Sequence, residues 1–318
     1  MSNKYGYIGG SPSQAQNSNK GIFSMADIID LTNLSQWTRE IVAVESLVIA
    51  GGGGGGYGYS AGRLGGGGGA GGYRSSYQAD TYTGGLLVKE DILNVNLNSN
   101  FTITVGGGGA SNTKGNDSVF SSVTSLGGGA GHQLSGSGVN ANGGSGGGEA
   151  AQSNNHAPGT GTAGQGFAGG NGVQNSTNQS GSGGGGGAGS VGGDGTSSQA
   201  GNGGQGQDSG ITGSTVGRGG GGAGNRRDGA YATVVDGGGN SAQNGTDNKG
   251  GGGGGGNQDA NGGTGGSGVV ILRYLDIFTF TADGGITLET GAEQDLGNGY
   301  KIAVCTAGTG TSNSFDRS

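Results

Sequence analysis

The chain has 318 residues, of which 90 are glycine, two proline and one cysteine, and its formal net charge is −7. That acidity removes the basic footprint that nucleic acid or an anionic membrane would require. The lone Cys305 excludes an internal disulfide framework and reads as a buried thiol, and the lack of proline and of a strict three-residue repeat excludes collagen.

Residues 1–10 carry no apolar stretch of signal-peptide length, and the longest apolar runs, around residues 47–50 and 269–272, are too short to cross a bilayer. The expectation is a protein made in a cytosol and assembled into something larger. Residues 1–38 differ in composition from the rest of the chain. Ser24 with Asp27 three residues on is a capping-box-like pair, and Met25, Ile28, Ile29 and Thr32 then share a helical face, with Leu31, Leu34 and Trp37 close behind. So short a helix is marginal alone. It reads either as a docking element, with Ile22, Phe23, Ile28, Ile29, Leu31 and Trp37 as its contact residues, or as a cover for the protein's own sheet.

From residue 40 to 50, Ile41, Val42, Val44, Leu47, Val48 and Ile49 predict a strand interrupted only by Glu45 and Ser46. Further strands are expected over residues 86–88, 92–97, 101–105 and 119–126. Apolar residues then nearly vanish until Val269-Val270-Ile271-Leu272-Arg273-Tyr274, a strongly β-branched strand. The simplest topology lets the first and last of these strands meet in one small β-sandwich, from which residues 127–267 are extruded. Residues 275–318 read as a separate C-terminal β element, with Phe278, Phe280, Ile286, Leu288, Tyr300, Ile302 and Val304 alternating with polar residues around Asp283-Gly284-Gly285 and Gly297-Asn298-Gly299 turns, its three short strands too few to stand alone and so expected to pack on the sandwich or on identical neighbours.

Glycine runs at residues 51–56, 65–69, 183–187 and 250–256 leave almost no side chains to pack. Fixing each glycine opposes folding by about 1–2 kcal/mol, so something systematic must offset it. Extended helices of the polyproline-II type have about three residues per turn and all backbone groups pointing outward; when the residue is glycine, no Cβ keeps such helices from exchanging main-chain bonds with their neighbours. The predicted class is therefore mainly β: a small β-sandwich (residues 39–126, closed by a strand at 268–274) carrying a glycine helix bundle (127–267), with an N-terminal docking segment (1–38) and a C-terminal β element (275–318).

The strand of residues 44–50 running into six glycines, the stretch Gly65-Gly66-Gly67-Gly68-Gly69-Ala70-Gly71-Gly72-Tyr73-Arg74 and the closing Gly265-Gly266-Ser267-Gly268-Val269-Val270-Ile271-Leu272-Arg273-Tyr274 resemble the glycine-rich domain of tailed-phage structural proteins, tail-fibre and adhesin proteins above all. The resemblance spans about residues 40–274, and residues 21–37 are similar to a short lead sequence on such virion proteins. It implies a polyglycine-II sandwich in a non-enzymatic virion protein, assembled in the host cytoplasm. Exposed loops would bind a host polysaccharide or outer-membrane protein, the N-terminal segment would dock on other virion proteins, and the fibre would be a homotrimer. A capsid decoration or head-fibre protein, and a bacterial surface glycine-rich protein, are the alternative readings.

Glycine-rich nucleotide motifs match by chance in such a sequence: no helical pattern continues from residues 51–56, and no G-x-x-x-x-G-K-[ST] occurs. Residues 203–208 begin like a calcium-binding nonapeptide but do not recur in tandem. His132 and His156 have no second ligand at useful spacing, so neither metal, cofactor nor histidine-based catalysis is expected. Tyr57, Tyr59, Tyr73, Tyr77 and Tyr82 crowd one stretch; they read as rings covering the sandwich edge, with Arg74 stacked on one, or as a recognition surface. The recognition candidates lie where non-glycine segments interrupt the glycine region: Asn154, Asn155 and His156; Asn175 and Asn178; Arg226, Arg227 and Tyr231; and the stretch 212–216. Each such segment also reads as a plain connection.

Overall fold

The structure is a computed structural model and describes residues 41–59, 63–133, 140–151, 157–173, 180–226 and 232–318. The expected docking segment, with Ile22, Phe23, Ile28, Ile29, Leu31 and Trp37, lies outside these residues. The described chain is mainly β, as the sequence predicts. Its strands are β1 (Ile41–Ile49), β2 (Tyr73–Ser75), β3 (Leu93–Asn96), β4 (Phe101–Val105), β5 (Ser118–Phe120), β6 (Val123–Ser125), β7 (Gln207–Ser209), β8 (Val216–Arg218), β9 (Val269–Leu275), β10 (Phe278–Thr281), β11 (Ile286–Leu288), β12 (Gln294–Asp295) and β13 (Tyr300–Arg317).

Eleven of them form one antiparallel sheet with the path β2-β1-β9-β13-β4-β5-β6; β7 and β8 form a separate hairpin. The first and closing strands of the sequence reading do pair, Leu47 opposite Ile271 and Ile49 opposite Val269. Both are apolar on two faces because both faces are covered. Val42, Val44 and Val48 of β1 join Val270, Leu272 and Tyr274 of β9 in a core completed by Phe101, Phe120, Phe280 and Phe315. Leu47, Ile49, Val269 and Ile271 point the other way, onto Tyr73, Ala188 and Ile211.

Two expectations are corrected. Residues 275–318 are not a separate element: β13 lies at the centre of the sheet, pairing with β9 over residues 300–305 and with β4 over residues 308–313. Its Ala303, Cys305 and Phe315 enter the main core, a burial that three short strands alone would not achieve. Over residues 86–88 there is no strand, because Leu86 adopts φ 52° at the end of a 3-10 turn (Gly84–Leu86).

The glycine segments obey a rule of three. Gly51, Gly52 and Gly53 donate to the carbonyls of Asn116, Gly266 and Gly69; Gly54, Gly55 and Gly56 donate to those of Thr113, Gly263 and Gly66, three residues back along the same three neighbours, at 2.8–3.0 Å. Their carbonyls accept from a second trio: Gly128, Gly109 and Gly253, then Gly131, Asn112 and Gly256. Residues 182–188 repeat the pattern. Ser182, Gly185 and Ala188 bond to Asn225, Gly222 and Gly219, while Gly183 and Gly186 bond to Glu149 and Gly146. Each segment returns to the same neighbour every third residue and sends its bonds to several surrounding segments, unlike the two-sided ladder of a pleated sheet. Buried main-chain groups are thereby satisfied without side chains.

Glycine is required by space. A Cβ on Gly53 would stand 2.0 Å from the Gly129 carbonyl oxygen, and one on Gly254 would stand 1.7 Å from that of Asn240. The sheet feeds this network directly: β1 continues into residues 51–56, β4 into 106–110, β6 into 127–132, and residues 263–268 lead into β9. Ser118 pins the seam, its Oγ donating to the Ile49 carbonyl and accepting from the Gly106 amide, both at 2.8 Å.

Candidate functional site

The glycine segments continue from the sheet strands, and the described residues that flank the recognition candidates of the sequence lie among those segments. Asn154, Asn155, His156, Asn175, Asn178, Arg227 and Tyr231 lie outside the described residues, but their anchors are described. The Ala151 amide donates to the Leu64 carbonyl at 2.9 Å, closing the base of residues 152–156 onto the segment that begins after residues 60–62. Val173 donates to the Gly181 carbonyl at 3.0 Å across the base of residues 174–179, and Gly181 bridges to Arg226, the last described residue before 227–231.

Side chains tie these bases together. Glu149 Oε2 accepts from the Gly172 amide at 2.9 Å, and Ser182 Oγ donates to the Gly65 carbonyl and accepts from the Asn225 amide. Asn225 Nδ2 donates to the Gly255 carbonyl at 2.9 Å, and Arg226 donates to the Ser197 carbonyl at 3.2 Å. Arg226, the one recognition candidate of the three interrupting loops that the structure describes, is thus half-buried in this support. Sequence separations of up to 117 residues are brought into one platform. Main-chain and buried hydroxyl bonds make it stiff, since neither has rotamer freedom left to lose.

The tyrosines divide. Tyr73 is fully buried, and burial together with Asp80 pushes its phenol above the ordinary value. Tyr57 and Tyr59 meet edge to face with centroids 4.7 Å apart. Arg74 does not stack on a ring: its guanidinium is held by both carboxylate oxygens of Glu90, at 2.6 and 2.7 Å, and by the Thr124 carbonyl. A bidentate carboxylate outcompetes a ring face for an arginine. The stacking cation is Arg273, 3.5 Å from the Tyr300 centroid and 5.2 Å from that of Tyr77, and ion-paired with Glu45. Sequence reasoning missed it because Glu45, Tyr77, Arg273 and Tyr300 meet only once β1, β9 and β13 are adjacent. Residues 212–216 sit elsewhere, at the turn of the β7–β8 hairpin, with Thr215 exposed and Ile211 buried under the sheet.

Among the described residues, no group of three or more His, Cys, Asp or Glu side chains is placed to hold a metal ion, and no helix is long and apolar enough to cross a membrane. Cys305 is buried, and burial pushes its thiol up to about 12.

The family description of a glycine-rich domain matches residues 32–275. The chain belongs to this glycine-rich domain family. The match begins before β1, covers the glycine segments with all their anchors, and ends at the last residue of β9. No curated protein and no solved structure matches the chain. The 43 residues after the glycine-rich domain complete its sheet through β13.

Proposed function

We propose that this protein is a non-enzymatic virion structural protein of a tailed phage, a tail-fibre or host-receptor-binding adhesin component, in which a polyglycine-II bundle carried on a small β-sandwich displays recognition loops. The observation that carries this reading is the convergence of the loop anchors: the bases of residues 152–156, 174–179 and 227–231 are joined through Ala151, Glu149, Val173, Gly181 and Arg226 on one main-chain-bonded platform. A scaffold that anchors several polar segments suits surface recognition, since binding residues concentrate on loops positioned by rigid elements. Three-residue periodicity of the main-chain bonds, with neighbours on all sides, supports the polyglycine-II assignment of the rods.

The partner is a host surface polysaccharide or outer-membrane protein, engaged through Asn154, Asn155, His156, Asn175, Asn178, Arg226, Arg227 and Tyr231. The N-terminal segment docks on other virion proteins, and a homotrimer multiplies weak contacts into avidity. Replacing residues 152–156 and 174–179 together by Gly-Ser stretches of equal length is expected to abolish adsorption of particles to host cells while leaving the melting temperature unchanged. Micrographs of particles labelled with an antibody to this chain should show label on the tail. Label confined to the head, or adsorption that survives loop replacement, would refute the reading.

A further inference from the structure

Away from the loop platform, two grooves of about 400 Å³ each adjoin on the sheet side of the molecule and share the Tyr77 ring as their common wall. Each is of the size of a small-ligand cleft. The first is lined by Tyr77, Asp80, Tyr82, Gln207, Asp208 and Thr215, the second by Glu45, Tyr77, Gln78, Arg273 and Tyr300. Three tyrosines therefore line the two grooves, Tyr82 the first, Tyr300 the second and Tyr77 both. Tyr82 is 43% exposed, although a ring of its size gains most by being covered.

The polar groups sort by availability. Arg273 is occupied by Glu45 and by the Tyr77 and Tyr300 rings. Lys89 is tied to the Gln78 and Asp80 carbonyls, and Arg218 is buried. Asp80 is anchored by Ser75 Oγ at 2.7 Å through one oxygen. The wall of the first groove opposite Tyr82 is thus the hairpin of β7 and β8, which lines it with half-buried Gln207, exposed Asp208 and exposed Thr215. Carboxylates and amides accept and donate to vicinal hydroxyls, while a ring face covers the C–H side of a pyranose. The exposed charge is negative, as is the whole chain at −7, which disfavours anionic sugars.

We infer that the Tyr77 double groove is a saccharide-binding site, separate from the loop platform, and that it takes an uncharged oligosaccharide of hexose units stacked on Tyr77 and Tyr82 and hydrogen-bonded by Asp208 and Gln207. The site goes beyond the loop reading and uses none of its residues, so the two fail separately: loop replacement leaves soluble-glycan binding intact, and a groove variant leaves the loops intact.

The test screens the full chain against neutral hexose oligosaccharides (glucose-, galactose- and N-acetylglucosamine-based) and uronate- and sialate-containing counterparts, with titration calorimetry on those that bind. At least one neutral oligosaccharide binds, its acidic counterpart binds about tenfold or more weakly, and Tyr82→Ala lowers affinity about tenfold at an unchanged melting temperature. If Tyr82→Ala disturbs folding, the isosteric Asp208→Asn decides, with a loss of similar size expected. No binding to any neutral glycan, tighter binding of the acidic members, or wild-type affinity in the folded variant would each overturn the assignment, and none of these touches the adsorption test above.

Discussion

Placing a methyl group on Gly53 tests whether the rods are held together by main-chain contact alone. The added carbon would stand 2.0 Å from the Gly129 carbonyl oxygen, whereas ordinary contact begins near 3.4 Å, so the rods would have to separate by about 1.4 Å. The two bonds between them, Gly128 to Gly51 and Gly131 to Gly54, are both 2.9 Å and would lengthen beyond bonding distance. Each leaves buried partners unsatisfied at about 2 kcal/mol, and the reduced freedom of the unfolded chain returns a little under 1 kcal/mol. Gly53→Ala therefore destabilises by about 3 kcal/mol, a fall in melting temperature of roughly 6–12 °C. Gly107 is the internal control: it is exposed, and a Cβ there meets only Asn116 Nδ2 at 3.8 Å. Gly107→Ala should be neutral or stabilising by up to about 1 kcal/mol. Chemical denaturation of both variants with circular dichroism as readout makes the comparison, and a Gly53→Ala protein within about 1 kcal/mol of Gly107→Ala would refute the packing argument.

Arg273→Met strands the Glu45 carboxylate, whose side chain is only 10% exposed, and should cost about 3 kcal/mol in urea melts, with more than half recovered in the Glu45→Gln/Arg273→Met double variant. Phe315→Ala removes a fully buried ring that touches Phe101, Tyr274 and Phe280 and should cost about 3–5 kcal/mol by the same assay; a loss under 1 kcal/mol would deny β13 its place in the core. The Cys305 thiol, pushed up to about 12 by burial, should stay unreactive toward a thiol reagent at pH 8 until the protein unfolds. Because its folded value lies above the unfolded one, its contribution to stability is complete below about pH 8.5 and is lost as pH rises from there towards 12; a Cys305→Ala variant should lack that part of the alkaline decline.

The strands β1 and β9 were legible because a run such as Val269-Val270-Ile271-Leu272 buries both faces and so carries its β-branched composition without interruption. β13 was legible only in its first part, from Tyr300, Ile302 and Val304; its continuation was not, since Gly308 and Gly310 interrupt the pattern where it passes from β9 to β4, and Gly308 takes φ 99° there. Glycine runs announce the absence of side chains but not which segments touch, because their pairing is written in main-chain groups that every residue shares. The same contacts exclude larger residues from the network, since a Cβ at most of these glycine positions would meet a carbonyl at about 2 Å. The Tyr77 grooves could be half-read, from the tyrosine cluster. Their far wall, β7, offers only Gln207, Asp208 and Ser209 as a strand signal, and Tyr300 arrives from 223 residues along the chain.

Native-state amide hydrogen exchange, read segment by segment, puts the rods themselves to the test. The amides of residues 51–56, 66–70, 183–187 and 252–256 all donate to carbonyls of other segments, so they should exchange as slowly as those of β1 and β9 and lose protection only with global unfolding. Exchange of these glycines within seconds, while β1 and β9 stay protected, would show a sheet with loose tethers and would contradict the main-chain scaffold.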